Sequence, residues 1–108
     1  MDIDVRYTLE EKPKLVLEKA GRLTYMYLPF DIIEEDGKYT CKYVKVSRIE
    51  YGEMVDAIVS IKYSTSKNFA IINNYLSDPE NPEYKSEYED LQKWRVFAKG
   101  EAKKYFNL

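Results

Sequence analysis

The run FDIIEEDGKYTCKYVKV, Phe30 to Val46, decides the fold. Two arms rich in aromatic and β-branched residues flank Asp36-Gly37, and that dipeptide is a strong hairpin signal. A two-residue turn that follows the twist of its strands needs positive φ, which glycine adopts without strain and aspartate tolerates. An antiparallel hairpin is therefore predicted, and a period of two extends it backwards to Arg22. Leu23, Tyr25 and Tyr27 fall on one face of that strand, with Thr24, Met26 and Leu28 on the other. Pro29 has no amide donor and belongs at a bend or an edge. Further back, IDVRYTL (Ile3 to Leu9) and KLVLEKA (Lys14 to Ala20) can each add a strand, but periodicity does not fix their pairing.

Beyond the hairpin the period changes. From Tyr51, the residues Met54, Val55, Ile58 and Ile61 recur at helical spacing, which predicts a helix of about three turns ending near Tyr63. The hydroxyls of Ser64 to Ser66 suit the start of a second helix, whose apolar stripe is Phe69, Ile72, Tyr75 and Leu76. Asp78-Pro79 and Asn81-Pro82 then interrupt the pattern. An Asx residue before proline is what a helix start favours: the side-chain oxygen accepts orphan amides, and proline lacks a donor that would have had no partner. Asn81 or Asp78 is the expected cap of a last helix, Glu83 to Phe106. Its stripe is Tyr84, Tyr88, Leu91, Arg95, Ala98, Ala102 and Tyr105. Acids early in that helix and Lys99, Lys103 and Lys104 late in it match the helix dipole. The expected architecture is a single α+β domain over 1–108. An antiparallel sheet, about 1–48, packs against two or three helices, about 51–106.

A chain of 108 residues buries about 65% of the surface its unfolded form exposes, enough for one core. The longest apolar runs, AIVSI and FAII, are far short of the roughly 18 residues of a membrane span. The acidic, polar N-terminal stretch is unlike a secretory signal. Cys41 is the single cysteine, so no internal disulfide forms, and the expected setting is the cytoplasm. Its ordinary role is as a small core residue on a strand. With 17 basic and 19 acidic residues, the net charge of -2 gives no electrostatic case for nucleic acid.

Chemistry is sparsely provided for. There is no histidine, which removes imidazole acid-base catalysis, His-dependent nucleophiles and most zinc sites. The four glycines are scattered and build neither a phosphate loop nor a dinucleotide fingerprint. Glu34, Glu35 and Asp36 cluster at the hairpin tip, where solvated charge is the plain reading and a hard-cation site the weaker one. No catalytic, cofactor-binding or metal-ligating residue is assigned. Eleven tyrosines and one tryptophan are the unusual feature, and tyrosine suits both half-buried sheets and protein interfaces. The candidate protein contacts are Tyr25, Tyr27, Tyr39 and Tyr43 on the hairpin, with Tyr75, Trp94 and Arg95 on the helices.

The stretches YGEMVDAIV (Tyr51 to Val59), KYSTSKNFAIINNYL (Lys62 to Leu76) and the Trp94-Arg95 pair in an Ala- and Lys-rich helix carry a resemblance. Over about 37–106 the chain resembles a group of small uncharacterised prophage-encoded proteins, often found near tail genes. The aromatic-Arg pair in a terminal helix is similar also to tail-fibre assembly proteins. The resemblance transfers no catalytic residue. It implies a small prophage protein, not an enzyme, that works through protein contacts as an accessory or chaperone of virion assembly. Its expected partner is a phage structural protein or a second copy of itself, with no membrane and no cofactor. The rival expectation is a nucleic-acid or host-defence module using Lys93, Arg95, Lys99, Lys103 and Lys104. A third, weaker one is a small hydrolase that works with carboxylates.

Overall fold

A computed structural model describes residues 5–106. Four strands come first: β1 (Tyr7–Leu9), β2 (Val16–Ala20), β3 (Leu23–Glu35) and β4 (Lys38–Val46). Three helices follow: α1 (Tyr51–Lys62), α2 (Thr65–Ser77) and α3 (Pro82–Phe106). The strands form one antiparallel sheet in the order β1-β4-β3-β2. The fold is α+β. Both N-terminal runs contribute a strand, one at each edge of the sheet; Ile3 and Asp4 of the first run lie outside the described residues.

The β3–β4 turn forms at Asp36 and Gly37, with φ of 52° and 76°, as the Asp-Gly signal requires. A second tight turn, with Gly21 at φ 65°, joins β2 to β3. Pro29 lies within β3, an interior strand, paired with Tyr43. The strand tolerates it because β2 begins at Val16, opposite Tyr27, so β3 has no β2 neighbour at Pro29. Two residues later the ladder slips. Phe30 pairs with Lys42 and Ile33 with Thr40, leaving Asp31 and Ile32 opposite Cys41 in a β-bulge, with Asp31 at φ 51°.

The period of two sorts the hairpin into two cores. Leu28 and Phe30 on β3 and Val44 and Val46 on β4 pack with Met54 and Ile58 of α1 and Ala98 and Ala102 of α3. On the opposite face Tyr27, Cys41 and Tyr43 form a second cluster, with Tyr7, Leu9, Val16 and Tyr25 around it. Two helix caps follow the sequence signals. Ser64 accepts a hydrogen bond from the Lys67 amide at 3.2 Å, and Asn81 Oδ1 accepts from the amides of Glu83 and Tyr84 at 3.0 and 3.3 Å. Asn81 is thus the cap of α3, and Asp78 ends α2.

The helices do not form a closed layer. α1 and α3 pack on the sheet, whereas α2 packs on α3. The Cα radius of gyration is 16.2 Å, against about 13 Å for a compact chain of this length. The principal extents are 48 × 39 × 26 Å.

Candidate functional site

Three places merit weighing: the bulge, the aromatic joints between helices, and the outer face of α2. At the bulge, Arg6 donates from Nη1 to the Asp31 carbonyl and to Thr40 Oγ1, both at 3.0 Å, and its Nη2 pairs with the Asp31 carboxylate. From the other side Glu101 of α3, 9% exposed, accepts the Asp31 amide on Oε2 at 2.7 Å and Lys104 Nζ on Oε1 at 3.2 Å. Both carboxylate oxygens of Glu101 are therefore engaged. The cluster ties α3 to the sheet and satisfies a strained residue. A cleft of about 370 Å³ beside it is lined by Pro13, Phe30, Ile32, Glu101, Lys104 and Tyr105 among others, and it brings one acid, not a pair, to bear on its contents. Among the described residues no group of three or more His, Cys, Asp or Glu converges as metal ligands would.

The hairpin tyrosines divide. Tyr27 and Tyr43 are each 3% exposed, so the expectation that they present a contact patch is corrected: side chains from both edge strands close over them. Burial pushes the Tyr43 hydroxyl up to about 12, helped by its hydrogen bond with Cys41; burial likewise raises the Cys41 thiol. Tyr25 and Tyr39 are half-buried. Tyr25 carries Lys45 Nζ 3.8 Å above its ring.

The helical candidates serve as joints. Tyr75 stacks on Tyr88 with ring centroids 4.2 Å apart and planes 6° from parallel, fastening α2 to α3. Trp94 donates from Nε1 to the Ile58 carbonyl at 3.1 Å, stacks on Phe97, and lies under Lys62 Nζ at 4.3 Å, fastening α3 to α1. Arg95 points the other way, into a cleft of about 640 Å³ between α1 and α2 that also holds Glu53 and Asp56. Three of the basic residues of α3 have separate surroundings. Lys93 borders Trp94 and Asp90, Arg95 lies in the cleft with two acids, and Lys104 is paired with Glu101.

What sequence reasoning missed is the outer face of α2. The predicted stripe has the right period, but the side chain buried on α3 is Ile71, at 5% exposure, together with half-buried Tyr75. Phe69 and Leu76, expected inside, are 63% and 68% exposed. Phe69 and Ile72 line one side of the α1/α2 cleft, and Leu76 stands one turn beyond Ile72 on the same face of α2. The signal was there to be read: Lys67 is the only charged residue among the thirteen of α2, in a chain that is 33% charged. A helix face left to water does not ordinarily shed its charges. The chain matches no family model, no curated protein and no solved structure.

Proposed function

We propose that this chain is a non-enzymatic protein-binding module, an accessory of virion assembly in a prophage, and that its working surface is the outer face of α2 with the adjoining cleft. One observation carries the reading: Phe69 and Leu76 stand exposed on a helix almost without charge. Large apolar side chains in a contiguous, rimmed patch mark a contact surface. The rim is supplied by Lys45, Glu53, Asp56 and Arg95 around the cleft. The prophage setting rests on the resemblance carried by Tyr51 to Leu76 and Trp94-Arg95.

The test separates contact from core. Phe69→Ser and Leu76→Ser are expected to leave urea unfolding within about 0.5 kcal/mol of the parent, as surface changes do, and to abolish association with co-expressed products of neighbouring tail or baseplate genes, or with itself. Ile71→Ala, in contrast, costs about 2–4 kcal/mol because Ile71 is buried on α3. If the two serine variants unfold as readily as Ile71→Ala, or associate as the parent does, the reading is wrong.

A further inference from the structure

Independently of the α2 surface, we infer that the cleft beside the bulge binds a small organic acid, a monocarboxylate with an apolar body. The cleft lies where three stretches distant in sequence meet: the link between β1 and β2, the bulged part of β3 and the C-terminal end of α3. Its volume of about 370 Å³ falls within the roughly 300–1,000 Å³ of small-molecule sites. Such sites set a few charged or polar groups among apolar walls, and the same division holds here. Pro13, Pro29 and Phe30 are buried and give the cleft its apolar depth. Tyr105, held edge-on against Phe106 with ring centroids 5.2 Å apart, forms another wall. Ile32 completes it from within the bulge, and this large apolar side chain is 41% exposed beside the cleft. Bulges recur next to binding sites because the extra residue re-aims the side chains around it.

Charge selects the head group. The ionised side chains that line the cleft are Lys12, Lys104 and Glu101, two positive and one negative, so the net is a single positive charge. Glu101 is already matched, with Oε2 accepting the Asp31 amide at 2.7 Å and Oε1 accepting Lys104 Nζ at 3.2 Å. A ligand cation therefore finds no free acid. Lys12, in contrast, pairs with no acid among the described residues. One carboxylate balances it. A dianion such as a phosphate monoester would bring a second negative charge towards the mostly buried Glu101, where like charges repel strongly.

Three probes of one shape and different charge test this by titration calorimetry at low salt: naphthoate, naphthylmethanol and naphthylmethylamine. Naphthoate is expected to bind with a Kd on the order of 100 µM, and the alcohol and the amine about fivefold more weakly or worse. Amide NMR shifts on adding naphthoate should centre on Ile32, Lys104 and Tyr105. Lys12→Gln should weaken the acid and leave the alcohol unchanged. Lys12→Glu makes the net charge of the cleft negative and should reverse the preference, so that the amine binds more tightly than the acid. Lys12 is exposed, and both variants should keep the parent circular dichroism. The inference is overturned if naphthoate does not bind at millimolar concentration, if the three probes bind alike, or if Lys12→Glu still prefers the acid. Shifts centred on Phe69 and Leu76 would overturn it too, by placing the probe on α2. A short peptide ending in phenylalanine that binds more tightly than naphthoate would assign the cleft to a chain end and exclude the small acid. Association through Phe69 and Leu76 is read by the serine variants alone, so either result can fail without the other.

Discussion

Asp31 holds a left-handed backbone conformation, and side chains from both ends of the chain keep it there. Arg6, near the N-terminus, clamps its carboxylate and carbonyl, and Glu101, seventy residues on, accepts its amide. Glu101→Ala leaves that amide without its partner in a mostly buried place, at a cost of about 1–3 kcal/mol, while Glu101→Gln keeps an acceptor oxygen and should cost less. Chemical denaturation of the two variants checks the order. The Arg6–Asp31 pair is about one-third exposed and is worth less than its geometry suggests, because solvent screens it. Tyr43 gives a prediction in pH. Its folded value of about 12 lies above the ordinary value of 10, so the folded state holds the proton more tightly. The resulting stability is full below pH 10 and is lost as pH rises towards 12, at up to about 1.4 kcal/mol per pH unit. Tyr43→Phe should flatten this part of the alkaline unfolding curve; an unchanged slope would show that Tyr43 does not supply it.

At the scale of elements, what was legible was local. Asp36-Gly37 placed the hairpin because its turn needs positive φ, and Asn81-Pro82 placed the start of α3 because the orphan amides of a helix end need an acceptor. Asn81→Ala removes two such hydrogen bonds and should cost about 1 kcal/mol, read as a shift of the urea midpoint without a change of slope. The helical stripes of α1 and α3 also point where their spacing indicated, with Met54, Ile58, Leu91, Ala98 and Ala102 fully buried. The stripe of α2 does not. Periodicity states which residues share a face, but not whether another element is present to cover it, and α2 packs chiefly on α3. The same limit applied to the sheet, where one parity of β3 and β4 meets helices and the other is closed by β1 and β2. The bulge at Asp31 was equally hidden, since its cause lies in Arg6 and Glu101, and neither is a sequence neighbour.

The whole molecule is more open than its length requires, with a Cα radius of gyration of 16.2 Å against about 13 Å for a compact chain of this length. Among the described residues no helix is long and apolar enough to cross a membrane, so the exposed apolar face is not a spanning one. The α+β class, the hairpin, the three helices and the caps of α2 and α3 were written in the order of the residues, because turns and caps are satisfied within a few positions of one another. That Tyr27 and Tyr43 are core, that Glu101 bolts α3 to a strained bulge, and that α2 turns its uncharged ridge outward emerged only from the assembled fold. Those outcomes depend on which surfaces meet across the chain, and burial is a property of the meeting rather than of either surface alone.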